Sequence, residues 1–231
     1  MKPTILLFDI DGTLITTGGV GRRALVKAFD ALYGKPDACS SFSFSGMTDP
    51  AIARQGLQAI SVEPTETNIS AVLGQYLGFL NAEVTASDKT RYRVHPGMTE
   101  AVQAGLSESM AVGLGTGNVR EGAMTKLKHV ALAELFKFGG FGDDAEHRPD
   151  LILRAAERGA AHLGVPREEA RVVVIGDTPK DVAAAQAIGA LSIGVGTGEY
   201  TVAQLRAVGA TWAFDTIADP AALEALLRGQ G

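Results

Sequence analysis

Cysteine is almost missing from this chain: Cys39 is the only one in 231 residues. No disulfide can form within the chain, and a reducing compartment, the cytoplasm, is the expected setting. Cys39 itself is expected to be an inert small residue in a loop. Long apolar runs are missing too. None approaches the roughly 20 residues of a membrane span, so no membrane partner is expected. No leader pattern is visible, since Met1-Lys2-Pro3 runs straight into a short apolar stretch followed by acidic residues. Basic charge is in deficit: 21 Lys and Arg against 26 Asp and Glu give a net charge of −5. That balance argues against nucleic acid as the partner and requires any anionic substrate to find local positive charge or a metal. Internal repeats and low-complexity segments are absent as well. What remains, 46% hydrophobic and 20% charged residues, is the composition of an ordinary globular protein able to bury a sizeable core.

The stretch around which the chain is organised is Ile5-Leu6-Leu7-Phe8-Asp9-Ile10-Asp11-Gly12-Thr13. Four apolar residues without polar alternation predict a strand buried on both faces. In extended backbone, side chains two apart point the same way, so Asp9 and Asp11 can face one pocket before Gly12 turns the chain. The alternative is that the two aspartates only begin a turn. Residues 172–175 (Val-Val-Val-Ile) predict a second buried strand, with further strands at 110–114, 136–138, 191–195 and 211–214. Helices are predicted at about 97–106, 120–130, 149–163, 179–188, 201–208 and 220–227. Strands alternating with helices of this length imply a Rossmann-like α/β fold, a parallel sheet with helices on both faces. Between about residues 18 and 91 only helical patterns occur, at about 22–33, 50–60 and 64–86, with a loop at 37–48. This composition shift predicts an inserted all-helical cap, residues 18–91, within a catalytic core of residues 1–17 and 92–231.

Three further strand ends carry polar residues. Gly115-Thr116-Gly117-Asn118 combines a hydroxyl, a glycine and a helix start, the makings of an anion site. Asn118 with Glu121 three residues later also resembles a capping box, which makes Asn118 mainly the cap and Thr116 the ligand donor. His147-Arg148-Pro149 places a guanidinium at a helix start, able to hold a phosphate or carboxylate; His147 is expected to be solvated. Gly176-Asp177-Thr178-Pro179-Lys180-Asp181 follows the second buried strand, so Asp177 reaches the crevice of Asp9. Thr178 and Asp181 can cap the next helix, or Asp181 can bond a metal-bound water. Two carboxylates and a carbonyl suffice for magnesium, which prefers oxygen ligands. Together these ends supply a nucleophilic carboxylate, a proton-transferring carboxylate, a hydroxyl and a fixed cation, the needs of phosphoryl transfer.

On Asp9-Ile10-Asp11-Gly12-Thr13, Thr116, Arg148 and Gly176-Asp177-Thr178-Pro179-Lys180-Asp181, the chain resembles the haloacid dehalogenase-like hydrolases, in the branch of phosphoglycolate phosphatases and β-phosphoglucomutases. The resemblance implies Asp9 as nucleophile and Asp11 as general acid, then base. It implies Mg2+ held by Asp9, the Asp11 backbone carbonyl and Asp177. Thr116, with Gly117 and Asn118 beside it, and Arg148 would bind the phosphoryl oxygens, while Asp181 and Thr178 would support the metal site. The helical insert would close over the site and choose the substrate. The chain departs from its relatives in three places. Arg148 stands where Lys is usual, Thr16 and Thr17 where an acidic residue often follows the first motif, and Met47 where an arginine often touches substrate.

The expected activity is thus a Mg2+-dependent phosphatase acting on a small phosphomonoester, phosphoglycolate-like or a sugar phosphate. A phosphomutase using the same aspartyl-phosphate is the alternative, and a regulatory binding module that kept the fold is the non-enzymatic one. The expected partner is a small phosphorylated metabolite, with the chain a monomer or homodimer. Arg22, Arg23, Arg54, Arg91 and Arg93 are candidate substrate contacts of the insert, most of them expected to be solvated. Gly18-Gly19-Val20-Gly21 is the candidate hinge, where alanine at Gly18 and Gly19 is expected to slow turnover with little loss of stability.

Overall fold

The computed structural model describes residues 2–88 and 90–229. Met1, Lys89, Gln230 and Gly231, which the predicted domain ranges include, lie outside the described residues. The N-terminal apolar run forms β1 (Thr4–Phe8), buried along its whole length. The chain continues through β2 (Ile15–Thr16) and three helices, α1 (Val20–Tyr33), α2 (Asp49–Ala59) and α3 (Glu66–Thr85). It returns by β3 (Arg93–Val94) to α4 (Met98–Ser107), β4 (Ala111–Gly115), α5 (Arg120–His129) and β5 (Gly139–Gly140). Then follow α6 (Arg148–Leu163), β6 (Arg171–Gly176), α7 (Pro179–Ala187) and β7 (Leu191–Val195). The described chain closes with α8 (Val202–Ala207), β8 (Trp212–Phe214) and α9 (Pro220–Arg228). No described helix is long and apolar enough to cross a membrane.

Six strands form one parallel sheet in the order β5-β4-β1-β6-β7-β8. The predicted Rossmann-like arrangement is therefore present, with β1 near the centre. Alternation along β1 decides the two faces: Leu6 and Phe8 join one apolar cluster, Ile5 and Leu7 the other. Register then sets the site. Phe8 lies beside Leu114 on one neighbour and Ile175 on the other, so the residues that follow all three leave the sheet at the same edge. Position relative to that edge, not sequence distance, brings Asp9, the Thr116 turn and Asp177 together.

The chain enters and leaves the helical segment side by side, since β2 and β3 pair antiparallel, Ile15 with Val94 and Thr16 with Arg93. Helices α1, α2 and α3 lie between these crossings, without a strand among the described residues. Their apolar faces join the same cluster as Leu6 and Phe8. Gly18 and Gly19 adopt φ of 60° and 84°, the left-handed region. A Cβ on Gly18 would stand 3.1 Å from the Arg91 side chain and 3.2 Å from its carbonyl oxygen. The expectation that alanine there leaves stability nearly unchanged is therefore corrected: each position carries a conformational penalty of about 1 kcal/mol whatever the segment does in turnover.

The strand predicted at residues 136–138 is also corrected. Residues Ala133–Leu135 form a turn of 3-10 helix, and pairing begins only at β5, two glycines long. Any side chain at Gly140 would collide with the Leu151 carbonyl of α6, so the strand is confined to residues without one. Apolar content placed the strand on the phenylalanines; close approach of a helix puts it on the glycines.

Candidate active site

A cavity of about 450 Å³ opens at the sheet edge beneath α1–α3, a size typical of small-molecule sites. Asp9, Asp11, Gly117, Asn118, Arg148, Asp177 and Thr178 all line it. Thr116 does not: it is fully buried, and its hydroxyl accepts from the Asn118 amide N–H at 3.3 Å and from Asn118 Nδ2 at 2.9 Å. Gly12 makes the corner at φ 85°, and any Cβ there would meet the Asp177 carboxylate. That corner lets Thr13 donate to Asp177 Oδ1 at 2.8 Å.

Asp9, Asp177 and Asp181 are all buried and bring carboxylate oxygens within 4.8 Å of one another. Arg148, equally buried, places Nη2 3.0 Å from Asp9 Oδ2 and 2.5 Å from Asp181 Oδ1. The guanidinium thus bridges two carboxylates through one of its nitrogens. Three negative charges face one positive charge, an excess of two. Burial pushes Asp9 up to about 6 despite the neighbouring guanidinium. Burial, followed by the charges of Asp181 and Asp9, pushes Asp177 well above the usual carboxylate range. An all-oxygen donor set with two uncompensated charges suits a hard divalent cation. Asp181 is committed elsewhere: its Oδ2 accepts from the Thr178 N–H at 3.0 Å, completing a reciprocal capping box at the start of α7. The capping reading of Thr178 and Asp181 is therefore observed.

Asp11 sits in a separate network. Its Oδ2 accepts from Lys126 Nζ at 2.6 Å and from Asn118 Nδ2 at 2.8 Å, and Thr17 donates to its Oδ1 at 3.4 Å. Asn118 Oδ1 in turn accepts from Lys126 Nζ at 2.6 Å. Asn118 is consequently not the helix cap predicted for it. The N-cap of α5 is Val119, which makes no side-chain cap bond, and the first N–H groups find partners from elsewhere: Val119 N–H donates to Asp49 Oδ2 at 2.9 Å and Arg120 N–H to Asp143 Oδ1 at 2.8 Å. Two distant carboxylates satisfy the helix start and leave the asparagine free to hold Asp11.

The insert is seated on this edge. Asp49 N–H donates to the Gly117 carbonyl at 2.8 Å, Thr48 Oγ1 to the Glu146 carbonyl at 3.0 Å, and Arg54 Nε to Glu146 at 3.0 Å. Of the candidate arginines only Arg22 lines the cavity. Arg23 pairs with Glu83 and Arg54 with Glu146 and Glu66, while Arg93 donates to the Thr90 carbonyl. Met47, Thr16 and Thr17 line the cavity. Exposed His147 pairs with Asp150 at 3.2 Å, and burial pushes the Cys39 thiol up to about 11, as suits an inert residue. Sequence reasoning missed Lys126, Asp49 and Tyr76 as cavity residues. Lys126 carried a signal, because Ala123, Lys126 and Leu127 share one buried helix face and a lysine there needs a partner.

Comparison with known proteins places the chain in a family. Residues 6–195 match the sequence model of the haloacid dehalogenase-like hydrolases. A protein named for pyrophosphatase activity, PpaX of Caldanaerobacter subterraneus, is 29% identical over 84% of this chain and 82% of its own. One named for phosphatase activity, IndB of Dickeya dadantii, is 25% identical over 99% and 96% of the respective chains. The crystal structure of CbbY from Rhodobacter sphaeroides, solved with phosphate, superposes with a TM-score of 0.70 at 18% identity over 94% of this chain and 96% of that one. With the family match spanning most of its length, the chain belongs to the haloacid dehalogenase-like hydrolases.

Proposed function

We propose that the protein is a magnesium-dependent phosphatase of small phosphomonoesters, working through an aspartyl-phosphate on Asp9. The observation that carries this reading is the charge balance at the sheet edge: three buried carboxylates against one guanidinium, beside a cavity large enough for a metabolite. In the first step a carboxylate oxygen of Asp9 bonds to phosphorus while the ester oxygen leaves and takes a proton from Asp11. In the second, water attacks the same phosphorus and gives its proton to Asp11, freeing phosphate and restoring Asp9. Arg148 holds Asp9 Oδ2 in place, so one oxygen remains for attack. Lys126 and Asn118 hold Asp11 in position for proton transfer. Magnesium would be held by Asp9, the Asp11 carbonyl and Asp177, and would neutralise charge on the phosphoryl oxygens. Residues 18–91 act as the cap over a core of residues 1–17 and 92–231, with Gly18 and Gly19 as its hinge.

The test is inorganic phosphate release from a panel of phosphomonoesters, with and without magnesium, for wild type and Asp9→Asn. Magnesium-dependent release that falls by roughly a thousandfold or more in the variant is expected. Release that survives the substitution would assign the nucleophile wrongly. Sugar-phosphate isomerisation without release would replace the phosphatase with a phosphomutase.

A further inference from the structure

The wall of the cavity that includes Lys126, the partner of Asp11, has a composition of its own. Asp49 comes from the start of α2, Tyr76 from α3 and Lys126 from α5, and all three are buried yet line the cavity. Asp49 uses Oδ2 for the Val119 N–H, and its Oδ1 has no hydrogen-bond partner among the described residues. The Tyr76 hydroxyl, on a residue only 1% exposed, likewise has none. Lys126 spends two of its three N–H donors, on Asp11 and Asn118. Gly21 on α1 leaves the space between them open: a Cβ there would come 3.5 Å from Lys126 Nζ and 3.8 Å from the Tyr76 hydroxyl. Polar atoms without partners, carried on buried residues and open to a cavity, mark the place of a polar ligand group.

Charge then restricts that ligand. Among the described residues three cations line the cavity; two are paired with carboxylates, and the third is held by carbonyls and a ring. Arg148 bridges Asp9 and Asp181, and Lys126 is paired with Asp11. Arg22 donates to the carbonyls of Cys39 at 3.2 Å and Phe42 at 3.5 Å while stacking 3.8 Å above the Phe44 ring. Among the described residues Arg148 and Lys126 already face carboxylates, and the Asp49 carboxylate would repel a second acidic group.

We propose that Asp49, Tyr76 and Lys126 form the recognition site for the leaving alcohol, and that this alcohol is a neutral polyol with no carboxylate or second phosphate. A hydroxyl of the polyol donates to Asp49 Oδ1, and others accept from Tyr76 and from the remaining Lys126 N–H. This rests on the phosphatase reading above and narrows its substrate. It excludes phosphoglycolate and inorganic pyrophosphate as preferred substrates.

The test compares esters that differ by one CH2OH against one carboxylate: glycerol 3-phosphate with 3-phosphoglycerate, and sorbitol 6-phosphate with 6-phosphogluconate. Binding is measured by calorimetry with magnesium on the Asp9→Asn protein, so the result does not depend on turnover. In at least one pair the neutral ester is expected to bind tenfold tighter or better. Adding Asp49→Asn should shrink that ratio at least threefold. Adding Tyr76→Phe, which removes only a hydroxyl, should weaken the neutral ester and leave inorganic phosphate binding unchanged. Equal or tighter binding of the carboxylated esters, or a ratio indifferent to Asp49→Asn, would overturn the proposal. So would binding of inorganic phosphate with no gain from either polyol. Failure of inorganic phosphate itself to bind would overturn the phosphatase reading, and the polyol site with it.

Discussion

Lys126 and Asp49 show how single buried charges are distributed around the cavity. Lys126 meets Asp11 and Asn118 at 2.6 Å each, and among the described residues neither partner has another cation. Lys126→Met should therefore lower kcat by roughly 10- to 100-fold, more than it raises KM, because Asp11, the carboxylate proposed for proton transfer, loses its fixed position. A kcat within twofold of wild type would deny Lys126 that positioning role. Asp49 is a different case. Burial raises its pKa from 3.8 to about 6, against the pull of Lys126 and the Val119 N–H. A carboxyl whose folded pKa is raised binds a proton more tightly folded than unfolded. Its contribution to stability is full below 3.8 and lost as pH rises through about 6. Two units correspond to about 3 kcal/mol at most. Asp49→Asn keeps an acceptor for Val119 and cannot ionise, so its Tm should exceed wild type at pH 7.5, keep about half of that advantage at pH 5 and lose most of it at pH 4. A Tm difference independent of pH would contradict the assigned burial effect.

At the scale of elements, α1 carries a glycine where a helix would gain from alanine. Gly21 lies within the first turn of the helix Val20–Tyr33 and faces Lys126 and Tyr76. A Cβ there meets only ordinary van der Waals distances, so Gly21→Ala should raise stability by about 0.5–1 kcal/mol through helix propensity. The same methyl group fills part of the proposed polyol site. Higher Tm together with raised KM for the preferred ester is the expected pair of results; higher Tm with unchanged KM would place the substrate elsewhere. Element starts were legible where a local cap exists, as at Thr48 for α2 and Thr178 for α7. They were misread at α5, where Asp49 and Asp143, far away in sequence, replace the local cap.

For the whole molecule, the decisive quantity is the excess of two negative charges buried at the sheet edge. Asp9 and Asp177 are both held above the ordinary carboxylate range, so the folded state is strained by their ionisation as pH rises. A bound divalent cation relieves that strain, and protons compete with it at low pH. Magnesium should accordingly raise Tm more at pH 8 than at pH 5; its stabilisation is set by its concentration relative to Kd and reaches about 2.7 kcal/mol at a hundredfold excess. Equal shifts at the two pH values would remove the carboxylates as the binding groups.

What the sequence determined by itself is whatever depends on neighbouring residues. Apolar runs without alternation marked β1 and β6 as buried on both faces, and acidic residues directly after them marked the edge where Asp9, Asp11 and Asp177 gather. The all-helical character of the segment between β2 and β3 was equally plain in its periodicity. The tertiary structure alone decided what depends on approach from a distance. Asp11 finds Lys126 across 115 positions and Asn118 across 107, and Asp49 reaches Val119 across 70. It also moved β5 onto two glycines, because α6 passes too close for side chains. Short-range patterns encode elements and their ends; the pairing of buried charges and the shape of a cavity arise only when sheet register and helix packing bring those ends together.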